Sequence, residues 1–287
     1  MTLDGGGSLG SGALGEVKKA TLNVAAKRLF FMDPAALRIM GVDLSNEDRQ
    51  AVLLNFIKEC SINSSLRHPN IVMFLGVAVD RESNNSPRFL MMELMDRSLH
   101  DEIYPGGVTP RQGEPMSLAR VASILLDVSR ALEYLHSRRP PVLHLDLKPK
   151  NVLIDRSGTA KVGDLGEAHV IRSTRAETRG VFGIGTPVYM APEMADPGLA
   201  KGPAADMFSL GVMACEMSSG RPPNPGAQIV ARRVIPERER RASDLAAIRH
   251  EELRELVDHL VVDEADQRWK ATDVRSFLEQ ILAALPA

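Results

Sequence analysis

The hydrophobic pattern changes period near Met95–Ser98, and that change limits the chain to an architecture with two unlike parts. Ahead of it, Val17–Lys19 and Asn23–Leu29 read as short strands following a glycine-rich turn. Ile71–Val79 and Arg88–Leu94 read as a strand pair across the polar turn Arg81–Pro87. One helix interrupts this front part. Ser45 and Asp48 form a capping-box-like start, Val52, Phe56, Ile57 and Cys60 share helical spacing, and His68-Pro69-Asn70 ends it. From Leu118 onward the spacing predicts helices at Val121–His136, Met207–Ser218, Glu251–Val262 and Ala271–Leu285. At 287 residues the chain can bury a large core, as one domain or as two lobes sharing a cleft.

Composition removes several classes of function. A formal net charge of −2 argues against nucleic acid held by charge. The two cysteines, Cys60 and Cys215, fall in predicted helices and read as small buried hydrophobes, so a reducing, cytoplasmic setting is expected. No run approaches the ~20 apolar residues of a membrane span, and the start lacks the basic segment and apolar core of a secretory signal. The arginines of Ala231–Arg241 predict a solvated loop or helix face, with a docking patch as the alternative.

Gly10-Ser11-Gly12-Ala13-Leu14-Gly15 matches GxGxxG, a weak signal alone. A dinucleotide fold needs a strand before the loop and a helix after it. Here Gly5-Gly6-Gly7-Ser8 spoils the strand, and Glu16–Lys27 looks like a hairpin. The loop therefore reads as joining two strands, with amides able to fold over phosphates; a plain glycine linker is the bland alternative.

Three later segments decide between these. His144-Leu145-Asp146-Leu147-Lys148-Pro149-Lys150-Asn151 is followed by Gly163-Asp164-Leu165-Gly166 and then by Gly185-Thr186-Pro187-Val188-Tyr189-Met190-Ala191-Pro192-Glu193. In this order and spacing they resemble the catalytic loop, metal-binding turn and activation-segment end of eukaryotic-type protein kinases. Val24-Ala25-Ala26-Lys27 resembles the strand lysine motif of that family, and His68–Gly76 resembles its tyrosine-kinase-like branch of Ser/Thr kinases. The resemblance implies an α+β, bilobal kinase-like fold: a β-rich N-lobe with one long helix at 1–95, and a larger α-helical C-lobe at 96–287.

It also implies a site and a reaction, transfer of the γ-phosphate of Mg-ATP to Ser or Thr of a protein substrate. Phosphoryl transfer needs positioning and charge neutralisation more than covalent help. Lys27 would hold the α- and β-phosphates, oriented by Glu59, and Asn151 and Asp164 would supply hard oxygen ligands for Mg²⁺. Asp146 would orient the substrate hydroxyl or accept its proton, and Lys148 would offset charge on the γ-phosphate. The nucleotide would lie between the lobes against Leu9, Gly10, Gly12, Gly15, Val17, Ala25 and Leu153. Backbone groups of Glu93–Met95 would read the adenine, with Met92 as gatekeeper. Asp206 would bind the catalytic-loop backbone, and Glu193 and Arg268 would form a buried ion pair. Asp146-Leu147-Lys148-Pro149 and Gly185-Thr186-Pro187 follow the Ser/Thr rather than the tyrosine pattern.

Some positions depart from the family. Leu145 replaces the arginine that usually receives an activation-loop phosphate, so loop phosphorylation at Ser173, Thr174 or Thr178 is expected to be dispensable. Leu165 stands where phenylalanine is usual. Asn63 falls where an apolar residue is expected, and an unsatisfied amide there would cost about 1–3 kcal/mol. The front strand reads as nearly absent, which predicts further sequence upstream, and 34–40 reads as a short inserted helix. Asn63, Leu145 and the trimmed front strand support an alternative, a pseudokinase scaffold with little catalysis; no feature of the sequence identifies a regulator.

Overall fold

The computed structural model describes residues 2–12, 15–21, 23–28, 45–80, 86–106, 115–170, 186–196, 199–223, 229–230, 233–234 and 247–286. The expected helix at 34–40, the loop bearing Ser173, Thr174 and Thr178, and most of 231–241 lie outside these residues. The chain forms two compact units, one of Met1–Leu54 with Met73–Leu94 and one of Asn55–Val72 with Met95–Ala287.

The first unit is built on two antiparallel sheets. β1 (Thr2–Gly12) pairs with β2 (Gly15–Thr21), from Thr2 opposite Thr21 to Gly12 opposite Gly15. The near-absent front strand is thus corrected to an 11-residue one. Its register slips between Leu3 and Ser8 and again between Ser8 and Gly10. Glycine tolerates the backbone excursions of a bulge, so Gly5-Gly6-Gly7 makes this strand irregular without ending it. The second sheet sets β5 (Ser86–Glu93) between β3 (Val24–Arg28) and β4 (Phe74–Asp80). Its centre, Phe89-Leu90-Met91-Met92, has the apolar character of a strand with neighbours on both edges.

α1 (Asn46–Ser65) starts directly after Ser45, as the capping signal predicts. The buried stripe of its second half differs from the expected one. Phe56, Glu59, Ile62 and Asn63 are buried, while Ile57 is 53% exposed. The expected stripe counted apolar residues alone, whereas the real one includes two polar side chains.

Helices dominate the second unit: α2 (Leu99–Ile103), α3 (Leu118–Ser137), α4 (Pro203–Ser219), α5 (Glu251–Leu260) and α6 (Ala271–Ala284). Ser98 and Ser117 cap α2 and α3 through their hydroxyls, satisfying amides that the first turn leaves open. Pro203 opens α4, where its missing N–H costs nothing, and Gly220 closes it with φ 63°. Leu125, Leu132 and Leu135 of α3 share one core with Leu210 and Met213 of α4, Leu256 and Leu260 of α5, and Leu278 of α6. Short strands carry the loops: β6 (Arg97–Ser98), β8 (Val152–Ile154) and β9 (Ala160–Val162) form one sheet, and β7 (Val142–Leu143) pairs with β10 (His169–Val170). β11 (Ile229–Val230) pairs with β12 (Arg233–Val234). No helix among the described residues is long and apolar enough to cross a membrane.

Packing of α4 on α5 depends on one missing side chain. A Cβ at Gly211 would lie 2.6 Å from Val261 Cγ2 and 2.7 Å from Leu260 Cβ. Gly211→Ala gains helix propensity of about 1 kcal/mol but overpacks a closed interface at about 1–3 kcal/mol. The expected outcome is net destabilisation, read as a lower urea midpoint; a raised midpoint would show that the two helices part without cost.

Candidate active site

The chain through His144–Asn151 is held from below by a buried carboxylate. Asp206, in the first turn of α4, accepts the Leu145 amide at 2.8 Å on Oδ1 and the His144 amide at 3.0 Å on Oδ2. His136 Nε2 lies 2.8 Å from the same Oδ2. Burial pushes the Asp206 carboxyl up, but the hydrogen bond and charge of His136 outweigh it and hold the group below its usual range. This anchoring lets Leu145 adopt φ 62°, a left-handed conformation that costs a non-glycine residue about 1–2 kcal/mol. The Leu145 side chain, in place of a family arginine, is buried in an apolar cluster with Met190, Met194 and Phe208.

His144 joins this loop to the turn at Asp164. Its Nδ1 accepts the Asp146 amide at 3.3 Å, and its Nε2 bonds the Gly163 carbonyl at 3.0 Å, an arrangement for the Nε2-protonated tautomer. The Gly163 amide in turn donates to the Asn151 carbonyl at 2.8 Å. Between them, β8 and β9 form a hairpin whose turn is fastened by Asp155 Oδ1, which accepts the amides of Ser157 and Thr159 at 2.8 and 3.0 Å. Asn151 and Asp164 are thereby fixed at adjacent ends of one small sheet.

Asp146 sits at the centre of a polar cluster. Its Oδ2 accepts Lys148 Nζ at 2.6 Å and Asn151 Nδ2 at 2.9 Å, and its Oδ1 accepts the Thr186 hydroxyl at 2.8 Å. Lys148 Nζ also donates to Thr186 Oγ1 at 2.7 Å, and Asn151 Nδ2 to the Asp146 carbonyl at 2.7 Å. With its nitrogen so engaged, Asn151 would present Oδ1 to a cation, and Asp164 would add carboxylate oxygens. This hard-oxygen donor set fits a divalent cation such as Mg²⁺. Asp164 takes φ 53°, which aspartate tolerates. Glu59 belongs to the same neighbourhood: a Cβ at Gly166 would lie 3.3 Å from Asp164 Oδ1 and 3.7 Å from Glu59 Oε2.

Other predicted site residues fall in the first unit. Leu9, Gly10 and Gly12 end β1, and Gly15 and Val17 begin β2, so GxGxxG spans the hairpin turn as expected; Ala13 and Leu14 lie outside the described residues. Ala25 and Lys27 stand opposite Met92 and Leu90 on β5. Glu93 ends that strand with its amide bonded to the Met73 carbonyl at 3.0 Å and its Oε1 accepting the Met73 amide at 2.7 Å. A base at this segment would therefore be read by backbone groups other than the Glu93 N–H. Met95 and the half-buried Leu153, on β8, lie in the second unit.

Two expectations about supporting residues are settled by geometry. Arg268 and Glu193 form a buried bidentate pair at 2.6 and 2.9 Å, and the carbonyls of Val262, Ala204 and Asp263 take the remaining guanidinium N–H groups. The amide feared unsatisfied at Asn63 is not: Nδ2 donates to the Glu59 carbonyl, one helical turn back, at 2.8 Å. Sequence reasoning gave no role to His144 and none in the cluster around Asp146 to Thr186. The Thr186 signal was present in Gly185-Thr186-Pro187, which marks the activation-segment end and the acceptor class.

The family model described as protein kinase domain matches residues 4–279. The chain belongs to the protein kinase family. Serine/threonine-protein kinase CTR1 of Arabidopsis thaliana is 35% identical over 233 residues, covering 78% of this chain and 25% of that protein. Serine/threonine-protein kinase shk2 of Schizosaccharomyces pombe is 33% identical, covering 75% of this kinase domain and 33% of its own length. Serine/threonine-protein kinase pak-2 of Caenorhabditis elegans is 30% identical over 93% of this chain and 46% of its own. The kinase domain thus spans less than half the length of these curated relatives.

Asp206 gives a pH test of the anchoring. A carboxyl with depressed folded pKa adds stability that is present above its ordinary value, 3.8, and lost as pH falls through the folded one. Asp206→Asn should lose about 3 kcal/mol at pH 7 by urea unfolding, with the gap to wild type narrowing below pH 3.8. A gap independent of pH would remove the ionised carboxylate from the account.

Proposed function

We propose that this domain transfers the γ-phosphate of Mg-ATP to Ser and Thr hydroxyls of protein substrates. The observation that carries the reading is the Asp146 carboxylate, aimed by Lys148, Thr186 and Asn151 through three hydrogen bonds of 2.6–2.9 Å, with Lys148 also donating to Thr186. Such a group accepts a hydrogen bond from an incoming hydroxyl and takes its proton as the new P–O bond forms. Lys148, within reach of the same point, offsets negative charge on the transferred group. Asn151 Oδ1 and the Asp164 carboxylate are assigned to Mg²⁺, which when bound neutralises phosphate charge. Lys27 is assigned to the α- and β-phosphates, and Glu59, beside Asp164 and Gly166, to the catalytic set. Leu9, Gly10, Gly12, Gly15, Val17, Ala25, Glu93, Met95 and Leu153 are assigned to the nucleotide, with an N-lobe at 1–95 and a C-lobe at 96–287. His68–Gly76 supports the tyrosine-kinase-like branch, and two free cysteines support a cytoplasmic setting.

Labelled Mg-ATP and a mixed protein substrate test the reaction. Wild type should place label on Ser and Thr, and Asp146→Asn should lower kcat by about 10²–10⁴. No transfer by folded wild type would favour a scaffold without catalysis. Burial of Leu145 among Met190, Met194 and Phe208 leads to a second expectation. Thr174→Ala and Thr178→Ala should keep most of the wild-type rate; a large loss in either would make loop phosphorylation necessary after all.

A further inference from the structure

One buried carboxylate outside the catalytic cluster is shared by two tyrosines. Glu216, on α4, accepts the Tyr104 hydroxyl at 2.8 Å on Oε1 and the Tyr189 hydroxyl at 2.7 Å on Oε2. Glu216 is 3% exposed and Tyr104 4%. The Tyr189 main chain is tied to the same helix, because Ser209 Oγ donates to its carbonyl at 2.8 Å. Its amide donates to the Thr186 carbonyl at 3.0 Å, closing the turn Pro187–Tyr189. Thr186 is the residue whose hydroxyl bonds Asp146 and Lys148. A continuous path therefore runs from Tyr104, just beyond α2, through Glu216 and Tyr189 to the catalytic carboxylate.

The geometry points to Tyr104 and Glu216 as positioning residues for phosphotransfer, acting through Tyr189 on the placement of Thr186. This inference rests on the kinase reading above. Glu216 takes both its strong hydrogen bonds from phenols, and an ionised acceptor makes such bonds shorter and stronger than a neutral one. Removing its charge loosens Tyr189 and, one turn away, Thr186. Among the described residues, the groups that bear on this charge are the two phenols. Burial pushes Glu216 up to about 6, with the phenol hydrogen bonds lowering it in part. Burial and the Glu216 charge push both tyrosines upward, so each stays a donor at neutral pH. The folded pKa of Glu216 lies above its ordinary 4.5, so its protonation favours the fold. A loss of rate from this group on acidification is then a loss of positioning, not unfolding.

The test compares wild type, Tyr104→Phe and Glu216→Gln by two readouts against pH. One is the exchange protection of the Tyr189 and Met190 backbone amides, corrected for intrinsic rate; the other is kcat/KM for phosphotransfer. In wild type, protection and kcat/KM should fall together as pH drops through about 6. Tyr104→Phe removes a donor to the charged form, so its step should move to higher pH by about one unit. Glu216→Gln keeps the shape without the charge, so its protection should show no step there. Identical pH courses of amide protection in wild type and in either folded variant would overturn the inference. Phosphotransfer without the protection step would sink the positioning role and leave the kinase reading intact. The protection steps without phosphotransfer at any pH would sink the kinase reading instead.

Discussion

Asp206 has no exposed surface, and a carboxylate so placed is tolerable only if its surroundings replace water. They do so with two main-chain amides and one imidazole, which leaves the loop through His144 and Leu145 a single low-energy path. The left-handed turn at Leu145 follows from that path, and so does the direction in which Asp146 leaves it. Because the Asp146 amide closes on the His144 ring, and that ring reaches Gly163, the loop and the Asp164 turn are joined through one side chain. The cluster around Asp146 is therefore tied to that buried charge as well as to its own mutual hydrogen bonds.

A second buried charge braces the region from the other side. Arg268 pairs with Glu193 and spreads its remaining N–H groups over three carbonyls, so neither ion is left short of partners. Its guanidinium also lies 5.0 Å from the centre of the Phe208 ring, the ring that shares a cluster with Leu145, Met190 and Met194. Polar and apolar anchoring thus meet on the same short segment. Leu145 fits this setting for a plain reason: a branched aliphatic side chain gains from burial among methionines and phenylalanine, where an uncompensated guanidinium would lose its hydration.

Much of this was legible in the sequence, though unevenly. The helices of the second unit announced themselves by period, since each buries an apolar stripe in one core. That Asp146, Lys148 and Asn151 share one site was legible through motifs whose order has no bland explanation. What failed was the buried polar side of α1 and the glycine run of β1. The α1 stripe was misread because Glu59 and Asn63 lie on the buried face, and residue type alone does not tell a satisfied amide from a solvated one. β1 was discounted because three successive glycines look like a strand ending, yet antiparallel pairing continues across the slipped register. His144 and Thr186 were passed over because their importance lies in partners 19 and 40 residues away. No local pattern encodes such partners.

The deepest regularity lies in α4. Asp206, Ser209, Met213 and Glu216 recur at helical spacing on one face, and the three polar members each hold a loop: His144–Leu145, the Tyr189 carbonyl, and the Tyr189 and Tyr104 hydroxyls. Gly211 lies on the opposite face, where it admits α5 at backbone distance. A helix buried on every side ordinarily reads as uniformly apolar. Any polar residue it carries must find a partner in the protein, so polar positions on such a helix act as fixed addresses for the chain that packs over them. In α4 those addresses sit in register with the catalytic loop and the segment after Thr186, so the same close packing that buries the helix also sets the positions of the groups around Asp146.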